Sequence, residues 1–69
     1  MSDRNFHAIP HPTGWALYRT GAKRASLTYL DRDRAWHEAR RRARAQGLVA
    51  YLHDTTGRIV ARNNYGVVA

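Results

Sequence analysis

Asp31-Arg-Asp-Arg-Ala-Trp-His-Glu-Ala-Arg-Arg-Arg-Ala-Arg-Ala-Gln-Gly47 is the stretch that decides the fold. Ala35, Trp36, Ala39 and Ala43 recur at helical spacing, which predicts one amphipathic helix from about Arg32 to Gln46. Asp31 is the N-cap, because its side chain can accept from the first free amides. Asp33 suits the positive end of the helix dipole, and Arg44 suits the negative end. Gly47 fits the left-handed position that closes a helix. The apolar stripe is mostly alanine, so the helix can lie close against a sheet, with Trp36 supplying most of its apolar area.

The flanks supply that sheet. Upstream, Asn5–Pro10 reads as a first strand ended by Pro10 and Pro12, which cannot donate to a ladder. His11-Pro12-Thr13-Gly14 is turn chemistry. Trp15–Arg19 is a second strand, and Thr20–Arg24 is a turn around Gly21. Ala25–Leu30 alternates as a third strand, with Ala25, Leu27 and Tyr29 on one face and Ser26, Thr28 and Leu30 on the other. Downstream, Leu48–His53 and Arg58–Arg62 form a hairpin across Asp54-Thr-Thr-Gly57. Asn63–Gly66 is a final turn. The expected fold is α+β: one domain spanning 1–69, ordered β-β-β-α-β-β, with a mainly antiparallel sheet and one helix on one face. Residues 1–4 and 67–69 are expected to fray.

Composition bounds the function. The chain has 69 residues, 12 Lys+Arg and 5 Asp+Glu, for a net charge of +7. Eleven of the twelve cations are arginine, and only Lys23 is lysine. The chain contains no cysteine, which excludes disulfides and thiolate chemistry. The polar N-terminus has no apolar segment of the kind a secretory signal needs. The apolar run from Gly47 to Leu52 is far shorter than the roughly 20 residues of a membrane span. A cytoplasmic protein without membrane contact is expected. So small a chain buries little surface, which makes a homodimer a natural way to gain buried area.

His7 followed by Pro10, then Gly14-Trp15-Ala16, Gly21-Ala22 and Arg24-Ala25-Ser26, resembles the first half of a small bacterial family. Glu38-Ala39-Arg40, His53, Gly57-Arg58-Ile59 and Asn64-Tyr65-Gly66 match its second half. The family is catalogued as domain of unknown function 2188, and the likeness runs from about Phe6 to Gly66. It implies a small stand-alone bacterial protein and brings no reaction or cofactor with it. His7, Gly14, Trp15, His53, Gly57, Tyr65 and Gly66 carry the likeness without an assigned role. In similar sequences the helix often starts after a threonine, whose place Asp31 takes. The arginine load from Arg40 to Arg44 is heavier than the family pattern requires, so a function resting on it belongs to this member.

That load is the sharpest chemical signal. Arg34, His37, Arg41 and Arg44 are spaced i, i+3, i+7 and i+10, on one stripe opposite Ala39 and Ala43, flanked by Arg40 and Arg42. Glu38 can pair with Arg41 or Arg42, and Asp33 with His37. Guanidinium forks suit phosphate without reading base identity. The bland alternative is a solvated helix face that keeps a small protein soluble. The reading favoured here is non-specific binding to a DNA or RNA backbone. Arg34, Arg41 and Arg44 are the expected contacts, Arg40 and Arg42 assist, and Lys23, Arg24, Arg58 and Arg62 form a second tier. Trp15 and Tyr18 are candidate stacking residues. The alternative is a protein-interaction module, self-associating or with an acidic partner.

Other chemistry finds little support. His7 and His11 lie about 13 Å apart if extended, too far for one metal ion. His7 and His53 are better suited to orient turns through hydrogen bonds. Ser2 and Ser26 have no base and acid at recognisable spacing, and Glu38 sits among arginines that lower its pKa. No catalytic residue, metal or cofactor is expected.

Overall fold

A computed structural model describes residues 5–66. The two segments expected to fray, 1–4 and 67–69, lie outside the described residues. Six elements follow one another: β1 (Phe6–His11), β2 (Gly14–Arg19), β3 (Leu27–Tyr29), α1 (Arg32–Gln46), β4 (Val49–His53) and β5 (Ile59–Asn64). The strands form one sheet in the order β3-β2-β1-β4-β5. The β1–β4 pairing is parallel and the other three are antiparallel. This is the expected α+β architecture, with α1 across one face.

The helix begins and ends as its sequence dictates. The Asp31 side chain accepts from the Arg34 amide at 2.8 Å, and the Gly47 amide donates to the Ala43 carbonyl from a left-handed conformation. Ala35, Ala39 and Ala43 are wholly buried against Phe6, Ala8, Leu17, Ala50 and Leu52. Three alanines in a row remove the side-chain bulk that would hold the helix off the sheet. Trp15, Tyr29, Trp36, Leu48, Ala61 and Tyr65 close the margins of this core. The register places Phe6, Ala8, Trp15, Leu17, Ala50 and Leu52 on the helix side, and His7, Ile9, Tyr18 and Tyr51 on the other.

The strand ends depart from expectation in five places. Pro10 does not end β1; it pairs with Trp15 inside the strand. β1 pairs with β4 only over Phe6–Ala8, so beyond Ala8 that side has no ladder for a missing amide to break. β3 covers only three residues, and Leu27 and Leu30 are 42% and 85% exposed. Leu30 leaves the sheet to enter the cap at Asp31, so alternation stops there. Leu48 precedes β4 and instead donates to Ala43 and accepts from Tyr65. Asn63 and Asn64, expected in a turn, pair with Ala50 and Val49, and Arg58, expected in the strand, lies in the loop. Pairing with a neighbour outweighs the turn preference of asparagine.

Candidate anion-binding face of the helix

Six of the eleven arginines fall on α1, and the structure divides them by their partners. Glu38 holds two. Its carboxylate accepts from Arg41 Nε at 2.9 Å and Nη2 at 2.6 Å, and from Arg42 Nε at 2.7 Å. These bonds pull the Glu38 carboxyl down to about 2. The same bonds raise Arg41 further. Arg34 pairs with Asp31 at 3.5 Å and Arg32 with Asp33 at 3.5 Å. The expected Asp33–His37 pair is therefore not the one Asp33 makes.

Arg40 and Arg44 remain. Among the described residues, no carboxylate forms an ion pair with either. The Arg40 guanidinium lies over the Trp36 ring, 5.1 Å from its centroid, and its Nε donates to the Trp36 carbonyl at 3.4 Å. That stacking holds a long side chain in place. Arg44 is exposed in the last turn.

Tyr65 completes a groove with them. Its amide donates to the Leu48 carbonyl and brings the end of β5 back under the helix, and its ring packs on the core. His37, Arg40, Arg41, Arg44 and Tyr65 line the groove, and no carboxylate is among them. A neighbouring depression holds Tyr29, Asp33, Arg34, His37, Glu38 and Arg40, so Arg34 lies beside two acids. Burial is the first cause that raises the Tyr29 hydroxyl, and the Glu38 charge is the second.

The other candidates lie elsewhere. Lys23 and Arg24 are exposed in the β2–β3 loop and Arg58 in the β4–β5 loop. Arg62 pairs with Tyr51 and shares the sheet face away from the helix. Trp15 is packed into the core on the helix side, whereas Tyr18 is on the open face. The two rings cannot form one stacking platform. Neither can Tyr18 join the helix arginines, because the sheet separates them.

The residues that carry the family likeness acquire local reasons. Gly14 has φ 136°, and a Cβ there would meet the Tyr29 carbonyl oxygen at 2.5 Å. A Cβ at Gly66 would collide with the Gly47 carbonyl oxygen. His7 Nδ1 and His53 Nε2 are 2.9 Å apart, and His53 Nδ1 meets the Gly57 carbonyl at 3.1 Å. His7 also stacks on Tyr51, with centroids 4.9 Å apart. His7 and His53 are expected to orient turns through hydrogen bonds; their bond to each other is not among those expectations. Only the parallel β1–β4 register joins them, and no local pattern reports it.

The profile of domain of unknown function 2188, described as an uncharacterized protein conserved in bacteria, matches residues 6–65. The chain belongs to this family. No curated protein and no solved structure matches it. In this 2188 domain, Gly14, Trp15, His53, Gly57 and Gly66 have structural places, whereas Tyr65 is both a core contact and part of the groove. Among the described residues no helix is long and apolar enough to cross a membrane, and no three metal-ligating side chains converge.

Proposed function

We propose that this domain binds nucleic-acid backbone, without base specificity, through the groove on the outer face of α1. The lining of that groove carries the reading: three arginines, a histidine and a tyrosine with no carboxylate among them. Arg40 and Arg44 supply the available charge, and they stand four residues apart on one helical face. Arg41 reaches the groove while tied to Glu38, so its charge is partly spent within the protein. Arg34 and Arg42, paired with Asp31 and Glu38, recede to supporting roles. Planar guanidinium forks favour phosphate oxygens, and the Tyr65 hydroxyl, which accepts from Asn63 Nδ2 at 3.2 Å, keeps its own hydrogen to donate.

Fluorescence anisotropy with labelled single-stranded and duplex oligonucleotides at low salt tests this. Arg40→Gln/Arg44→Gln is expected to weaken binding about tenfold or more, whereas Arg34→Gln costs little. The thermal melt of Arg44→Gln should match the parent, since that side chain is exposed and forms no ion pair among the described residues. Binding of acidic peptides with no binding of oligonucleotides would replace this reading with a protein-interaction module.

A further inference from the structure

The open face of the sheet carries a second feature, independent of the helix. Thr20, His7, His53 and Gly57 form one line of hydrogen bonds across the ends of β2, β1 and β4 to the β4–β5 loop. Thr20 Oγ1 and His7 Nε2 are 2.9 Å apart, His7 Nδ1 and His53 Nε2 are 2.9 Å apart, and His53 Nδ1 and the Gly57 carbonyl are 3.1 Å apart.

Hydrogen counting fixes what this line can hold. A carbonyl only accepts, so His53 Nδ1 carries a hydrogen. Neutral His53 then has a bare Nε2, and the bridging hydrogen sits on His7 Nδ1. Neutral His7 in turn has a bare Nε2, which takes the Thr20 hydroxyl hydrogen. One added proton fits without loss. It enters at His7 Nε2 and donates to Thr20 Oγ1, while the hydroxyl hydrogen swings to the Asn5 carbonyl 3.2 Å away. That carbonyl already accepts from the Thr20 amide and can take a second bond. A second added proton does not fit. It would set N–H against N–H across the His7–His53 bridge and two cations side by side.

We propose that the His7–His53 pair is a binding site for one proton, shared between the two rings and held by Thr20 and Gly57. Among the described residues, the neighbouring rings and charges weigh against a second added proton. Tyr51 stacks on His7, Tyr18 and Tyr51 flank it in register, and Arg62 lies beyond Tyr51. Arg19 precedes Thr20. Asp54 follows His53, and its Oδ1 accepts from the Thr56 amide, the Thr56 hydroxyl and the Arg58 amide. Loading the site leaves every bond in place, while a second proton breaks the bridge and frees the β4–β5 loop from β1.

Ring ¹⁵N resonances followed from about pH 8 to about pH 4 test this on the whole chain. At the alkaline end, His53 is expected to carry its hydrogen on Nδ1. In the first acid step, His7 Nε2 gains a hydrogen while His53 Nδ1 stays as it was. Thr20→Val, which removes the acceptor for the loaded proton, should lower the first step by about one pH unit, and Thr20→Ser should restore it. The site does not exist if His53 carries its hydrogen on Nε2 at the alkaline end, if both rings gain protons in a single step, or if Thr20→Val leaves the first step unmoved. The tautomer readout on the native chain decides the matter even if the valine variant fails to fold.

Discussion

Glu38 does more than any other single residue to set the charge of the helix. Its carboxylate holds two guanidinium groups and lies at about 2 instead of 4.5. A carboxyl depressed on folding contributes stability above its unfolded pKa and loses it as pH falls through the folded value. The contribution is therefore complete above about pH 5 and disappears toward pH 2. Glu38→Gln is expected to cost about 1 kcal/mol at neutral pH, and its melting temperature should converge with the parent's as pH falls toward 2. Thermal melts across that range check it. Gly14 offers a second residue-scale test. Gly14→Ala forces a Cβ toward the Tyr29 carbonyl from a conformation that L-residues rarely adopt, and a loss of about 2 kcal/mol or more is expected by chemical denaturation.

Among the elements, α1 was legible almost to the residue. Its bounds, its Asp31 cap and its Gly47 close are all local, and local chemistry decides them. Asp31→Ala should lower the melting temperature by about 4–8 °C, while Asp31→Asn keeps the cap and moves it little. Circular dichroism separates the two. The strands were less legible, because their ends depend on neighbours. β1 passes through Pro10 since no β4 partner lies opposite it, and β5 runs on through Asn63 and Asn64 since Ala50 and Val49 do. The candidate site was half legible. Helical spacing placed the arginines on one side but did not tell which of them Glu38, Asp31 and Asp33 would hold. Nor did it bring Tyr65 into one groove with Arg40 and Arg44, an arrangement that depends on the bond from the Tyr65 amide to the Leu48 carbonyl.

For the whole molecule, the sheet is the divider. Helix and arginine groove lie on one side, and the His7–Tyr51–His53 surface lies on the other. Helix arginines and the Tyr18 ring therefore cannot belong to one groove, and the proposed phosphate contact on the helix side rests chiefly on charge. Charge recognition has a defined salt law. Each neutralised phosphate releases counterions and steepens the fall of log K with log salt by about 0.9 for duplex and about 0.7 for single strands. The most direct test is that slope, measured for the native chain and for Arg40→Gln/Arg44→Gln on one duplex. The native slope should be linear and at least about −2, with the double variant shallower by about two contacts. No detectable binding at low salt, or equal slopes for the two proteins, would contradict the account.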